Sequence, residues 1–218
     1  MIMKVILVHG FYRDKKDFFS MKKDLESWGY DCLVPTLPLT YQEFDLSTVV
    51  LKEFIQKHTH PNEKIHLVGH STGGLVIRHL LMDEDIVRQV GRAVLIATPN
   101  RGSYLATLAG RMKWYVSRFR TLKSLDRAYI DQLNIEAPNG VEIGAMAGTK
   151  SKGLLGRLIR EENDGKVELS SVPMDEFKDF IILPYHHLEI HHKKRTANFV
   201  KQFLENGHFK GGNLDDLG

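Results

Sequence analysis

The string Lys64-Ile-His-Leu-Val-Gly-His-Ser-Thr-Gly-Gly-Leu-Val-Ile-Arg78 sets Gly69-His70-Ser71-Thr72-Gly73 between an apolar run and a helical pattern. A serine on a sharp strand-to-helix turn takes a strained backbone that projects its hydroxyl out of the sheet, and small neighbours keep the turn clear of the adjoining strand and helix. Gly69 and Gly73 are those neighbours, which makes Ser71 a candidate nucleophile toward a carbonyl carbon. Such an attack puts negative charge on the carbonyl oxygen, which needs donors already in place. The backbone N–H of Thr72, at the helix start, is one candidate donor. The N–H of Phe11 in Val8-His9-Gly10-Phe11 is the second, with Gly10 small enough to let its loop approach; His9 itself reads as a hydrogen-bonded loop histidine outside proton transfer. For a base, Leu183-Pro-Tyr-His-His-Leu-Glu-Ile-His-His192 offers His186, His187, His191 and His192.

These residues need a scaffold, and the chain has the size and composition of one globular domain: 218 residues, 42% hydrophobic and 26% charged. The lone cysteine, Cys32, excludes an internal disulfide and a cysteine-held structural zinc. Near-continuous apolar runs at Lys4–Val8, Asp31–Val34, Lys64–Val68, Arg92–Ala97, Val141–Ala147 and Phe180–Leu183 read as strands buried on both faces. Helical periodicity falls between them. One stripe comes from Phe18, Phe19, Met21, Leu25 and Trp28, ended by Gly29, and a second helix follows Ser47 with Val49, Val50, Phe54 and Ile55 inward. A third starts near Ser71, and the last runs from about Lys193 to Glu205 with Phe199, Val200 and Phe203 inward. The alternation predicts an α/β fold: a mostly parallel central sheet with helices on both faces. Residues 1–209 form one domain, and 210–218 a flexible tail. Roughly forty residues separate the fourth and fifth strands, too many for a plain connection. There Leu105, Leu108, Met112, Tyr115, Phe119 and Leu122 recur at helical spacing, so 101–135 is a candidate helical cap over the nucleophile.

The chain resembles the α/β-hydrolase superfamily, and within it small bacterial esterases and lipase-like proteins. The resemblance rests on Val8-His9-Gly10-Phe11, Gly69-His-Ser-Thr-Gly-Gly74, Ala97-Thr-Pro-Asn-Arg-Gly-Ser103, Ala147-Gly-Thr149, Asn163-Asp-Gly165 and the histidine-rich segment before the last helix. It implies a minimal form of that fold, no cofactor, and an ester-cleaving triad in the order serine, acid, histidine. The order points to Asp164 as acid, with Glu161, Glu162 and Asp175 as fallbacks. Aligning Ile190 with the large apolar residue that follows the family's histidine favours His187 as base, although His186, Leu188 and Glu189 depart from the pattern and leave His186 a rival. Acyl transfer or thioester cleavage would use the same residues, and a binding module that no longer turns over is the alternative of another class.

His187 and His191 stand four apart, a spacing at which two helical histidines share one ion, but Leu188 occupies the position where zinc hydrolases need glutamate. No metal ligand is assigned on that basis, and His191 and His192 read as solvated residues near a helix start. The formal charge is +3, concentrated between Arg111 and Arg127. There Arg111, Lys113, Arg118, Arg120 and Lys123 could meet anionic lipid head groups. No nucleic-acid motif is present, so the expected partner is a small-molecule ester or lipid. The amino-terminal apolar run is too short for a signal-peptide core, and with one cysteine it suggests the cytoplasm.

Overall fold

In the computed structural model, which describes residues 2–42, 44–110, 120–133, 135 and 140–209, the apolar runs form six strands. They are β1 (Lys4–Val8), β2 (Asp31–Leu33), β3 (Ile65–His70), β4 (Val90–Ile96), β5 (Glu142–Gly148) and β6 (Asp179–Leu183). All pair in parallel, in the order β2-β1-β3-β4-β5-β6. β3 extends two residues beyond its apolar run because pairing with β4 continues through His70 and Ile96.

Side chains alternate across the sheet, so each face collects its own core. Ile6, Val8 and Leu67 meet α2 (Phe44–His58) and α3 (Thr72–Leu80) through Leu51, Ile55, Leu75 and Val76. Val5, Leu7 and Val68 meet α1 (Phe19–Ser27) and α8 (Lys194–Asn206) through Met21, Leu25, Phe199, Val200 and Phe203. Phe18, Met21 and Leu25 form the inward stripe, while Phe19, one position off it, is 72% exposed. α2 begins at Phe44 rather than after Ser47, which places Ser47 inside the helix and buried. Its inward stripe runs through Leu51 and Ile55, leaving Val49 on the far side and half exposed.

The sheet order reverses once. The chain leaves β1 for β2 on one side and returns to β3 on the other, which makes the carboxyl ends of β1 and β3 a switch point where a crevice must open. Beyond β4 come α5 (Tyr104–Gly110), a 3-10 turn (Arg120–Leu125) and α6 (Arg127–Leu133), lying within the 101–135 segment. Buried Glu168 anchors this segment, accepting from the backbone of Tyr104 at 2.8 Å and from Arg127 at 3.1 Å. The short helices α4 (Glu84–Val87) and α7 (Gly153–Leu158) complete the helical set among the described residues. Arg111, Lys113, Arg118 and the 210–218 tail lie outside the described residues; Arg120 is exposed, and Lys123 belongs to the 3-10 turn. Among the described residues no helix is long and apolar enough to cross a membrane.

One interior polar group has a direct consequence for stability. His66 of β3 is buried, and its Nδ1 accepts from the backbone of Arg92 at 3.0 Å, which requires the neutral ring. Burial, with the charge of Arg92, pushes its pKa down to about 4. An unfolded His66 takes its proton near pH 6.5, so between pH 6.5 and 4 the unfolded chain binds more protons and stability falls as pH falls. His66 should therefore account for about 3 kcal/mol of stability present above pH 6.5 and lost by pH 4. Urea unfolding across this range should show a shallower decline for His66→Asn, whose carbonyl can still accept.

Candidate active site

Ser71 follows β3 directly, at φ 54° and ψ −126°, outside the regions that L-residues ordinarily occupy. Its N–H donates to the carbonyl of Ile96 at 2.8 Å and its carbonyl accepts from Gly74 at 3.0 Å, so both neighbouring elements hold the turn. The turn closes only because α3 starts against the end of β1. A Cβ on Gly73 would lie 2.3 Å from the carbonyl oxygen of Val8, and one on Gly10 would lie 3.1 Å from both the His70 carbonyl oxygen and Ser71 Cβ.

The structure brings three of the sequence candidates into one hydrogen-bonded chain. His187 Nε2 lies 3.0 Å from Ser71 Oγ, and His187 Nδ1 lies 2.7 Å from Asp164 Oδ2. Asp164 Oδ1 accepts from the backbones of Lys166 at 3.0 Å and Val167 at 2.8 Å, an Asx-type turn that fixes the carboxylate. The backbone N–H of His187 also donates to the Asp164 carbonyl at 2.9 Å, tying the two loops at main chain and side chain alike. With Nδ1–H directed at the carboxylate, Nε2 is the acceptor for the serine proton. Asp164 and His187 are buried.

The rival histidine is turned elsewhere. His186 Nδ1 accepts from the backbone of Leu188 at 3.2 Å, its other nitrogen lies against Gly165, and burial lowers its pKa. Among the fallback acids, Glu161 accepts from Ser170, and Asp175 faces Arg101 at 4.0 Å on the surface. His9 is fully buried; its Nδ1 donates to the Gly10 carbonyl and its Nε2 accepts from the backbone of Leu37, an arrangement of the neutral ring that burial favours.

A cavity of about 360 Å³ opens over Ser71. Phe11 and Thr72 lie on its wall beside Ser71, while Pro99, Leu105, Ala106, Leu108, Leu125 and Val167 make the lining largely apolar. Thr72 is the first residue of α3, so its N–H has no carbonyl four residues back to bond within the helix. Leu105, Leu108 and Leu125, which line the same cavity as Ser71, come from the 101–135 segment.

The residues missed by sequence reasoning lie directly behind the elbow. His191, read from sequence as solvated, is buried, because the 3-10 turn Ile190–His192 packs against the turn Lys15–Phe18. Its ring stacks on His70 at 3.8 Å between centroids, and its Nε2 lies 3.1 Å from Oδ2 of buried Asp17. Burial, reinforced by neighbouring histidines, holds His70 well below the usual histidine range, and burial lowers His191 as well. Burial works to raise Asp17, but its contacts with His191, Arg13 and His192 outweigh that and keep it ionised. No spacing pattern marks Asp17, which stands inside an amphipathic run far from both histidines in sequence.

A family model described as Alpha/beta hydrolase family matches residues 5–161. No curated protein sequence matches the chain. Among solved structures it is similar to the mature lipase BlEst2 of Bacillus licheniformis, with a TM-score of 0.78 and 20% identity, covering 94% of this chain and 91% of that one. The metagenomic carboxyl esterase MGS0156 superposes with a TM-score of 0.76 at 17% identity, covering 94% and 76% of the two chains. Lipase 1 of Pelosinus fermentans gives 0.67 at 14% identity, covering 93% and 97%. At these identities the likeness is one of fold.

The contact at Gly73 can be measured directly. Gly73→Ala should destabilise the protein by about 1–3 kcal/mol, because its methyl group meets backbone oxygens that cannot swing aside. Urea unfolding of the variant against wild type checks this; equal midpoints would mean that the start of α3 shifts freely.

Proposed function

This chain belongs to the α/β hydrolase family, and from that premise we propose that it is a serine hydrolase of carboxylic esters that works through an acyl-enzyme. The observation that carries the reading is the hydrogen-bonded chain from Ser71 through His187 to Asp164 beneath an apolar cavity. His187 Nε2 takes the proton as Ser71 Oγ attacks the ester carbonyl, and Asp164 stabilises the resulting imidazolium. The N–H groups of Phe11 and Thr72 face the oxyanion. Collapse of the tetrahedral intermediate breaks the ester C–O bond, with the proton on His187 passing to the departing alcohol. Water then gives a proton to His187 as it attacks the acyl carbon, and the bond from that carbon to Ser71 Oγ breaks as His187 returns the proton to Oγ, which releases the acid and restores the site.

Residues 101–135 act in this proposal as a cap, with Leu105, Leu108 and Leu125 forming the acyl wall. An apolar wall over the nucleophile favours substrates with an aliphatic acyl chain, in keeping with the lipases and esterases that share the fold.

Hydrolysis of p-nitrophenyl esters graded in acyl length tests the reading. Ser71→Ala should lose at least ~10³-fold in kcat/KM and fail to react with a fluorophosphonate probe that labels wild type. Asp164→Asn should lose roughly 10³- to 10⁴-fold while binding substrate normally, since it leaves the base in the wrong tautomer. Product appearing faster when an alcohol or thiol acceptor is added would redirect the assignment to acyl transfer. Inert wild type that also fails to label would remove the enzymatic reading.

Shape of the acyl wall gives a separate test. Leu105→Trp should move the preferred acyl length toward shorter esters, checked by comparing kcat/KM across the same series; an unchanged profile would put the acyl chain elsewhere.

A further inference from the structure

The cluster behind the elbow takes no part in the proposed acyl chemistry, yet its polar atoms converge on one buried point. His70 Nε2 is 3.0 Å from the carbonyl oxygen of His187, which can only accept, so the proton of a neutral His70 sits on Nε2 and Nδ1 presents a lone pair. That lone pair faces Asp17 Oδ2 at 3.8 Å, and His191 Nε2 stands 3.1 Å from the same oxygen. None of these three atoms has a hydrogen-bond partner, although the side chains of His70, Asp17 and His191 are only 2%, 5% and 0% exposed. A carboxylate and a ring lone pair buried face to face need positive charge between them.

We propose that Asp17 Oδ2, His70 Nδ1 and His191 Nε2 bind one divalent transition-metal ion, with zinc the cation that best suits two imidazoles and a carboxylate. Their ligand atoms all lie within 4.8 Å of one another. Around a tetrahedral ion with bonds near 2.1 Å, ligand atoms stand roughly 3.4 Å apart, so small side-chain adjustments close the site. The hydrogen bonding of His70 matches what a ligand requires: a metal-bound histidine typically donates its other ring N–H to a carboxylate, carbonyl or water, and here the acceptor is the backbone of His187. Asp17 Oδ1 faces Arg13 at 3.7 Å and His192 at 3.8 Å, which leaves Oδ2 to bind alone. Asp17 and His192 also line a solvent-open cleft with Tyr12, Thr40 and Tyr41, giving the ion a route in and water access to a fourth position.

The ion would be structural. It would join the turn Lys15–Phe18, the end of β3 and the turn Ile190–His192, and through His70 Nε2–H it would brace the carbonyl of His187 from behind. The proposal does not depend on the esterase reading, since its readout is metal uptake.

The test uses the full chain prepared without a polyhistidine tag, stripped with chelator, reloaded with zinc and freed of excess. Elemental analysis should find one zinc per chain in wild type, and much less in Asp17→Asn and His191→Gln. Zinc should raise the thermal midpoint of the stripped wild type and leave that of either variant unmoved. Should the variants fail to fold, cobalt loading of wild type decides, because an ion in this site gives the intense visible bands of four-coordinate cobalt(II). Folded wild type that retains no zinc, variants that retain it fully, or cobalt showing only the weak bands of a hydrated ion would each overturn the assignment.

Discussion

The backbone of Ser71 sits at φ 54° and ψ −126°, and the surrounding structure exists in the form that keeps it there. A non-glycine residue so placed costs about 1–3 kcal/mol and persists only where neighbours leave it no alternative. Here the alternatives are removed from three sides. β4 fixes the N–H of Ser71, α3 fixes its carbonyl, and the end of β1 stands against α3 so closely that Gly73 has no room for a methyl group. The strain is thus balanced by ladder hydrogen bonds and by the packing of α3 onto the sheet. What it achieves is direction: the hydroxyl leaves the sheet at the switch point between β1 and β3.

The partners of Ser71 are supplied by a different device. Asp164 and His187 lie in loops after β5 and β6, two to three strands away, and loops of that length do not hold position by themselves. Asp164 is set by its own turn, with two backbone N–H groups on one carboxylate oxygen and the other left for the imidazole. The main-chain bond from His187 N–H to the Asp164 carbonyl then makes the two loops one unit. Ser71 is thus held on the sheet and joined to a hydrogen-bonded Asp164–His187 pair carried by two loops. The histidines behind it bear on the joint, because His70 precedes Ser71 in the chain and also donates to the carbonyl of His187.

What could be read from sequence follows from how local each signal is. Strands buried on both faces announce themselves as apolar runs, and the elbow compresses strand, strained serine and helix start into a handful of residues, so both were legible. Asp164 and His187 needed a family resemblance, because their contact spans 23 positions and nothing in the local sequence separates His187 from His186. The choice is made by packing, as Gly165 receives the His186 ring and leaves His187 facing the serine. His191 was misread for the same reason. A histidine near a helix start looks solvated until another turn, contributed by residues nearly the whole chain away, closes over it. Ser47 failed differently: it carries the residue type of a helix cap, but the amphipathic pattern of α2 accommodates an earlier start at Phe44.

The segment over the cavity divides the labour between polar and apolar groups. Its polar attachments are buried Glu168, which takes the backbone of Tyr104 and the guanidinium of Arg127, and Thr121, which donates to Gln42, while Ala106, Leu125 and Ile130 pack into the core beside α2 and α3. The face it turns to Ser71 is apolar, through Leu105, Leu108 and Leu125. A hydrogen-bonded anchor is directional and fixes where the segment sits, whereas an apolar wall is non-directional and can change shape without breaking the anchors. The residues that shape the cavity are thereby separate from those that hold Ser71 in place. Substitutions in the wall can alter the volume over Ser71 while the sheet, the elbow and the Asp164–His187 pair keep their geometry.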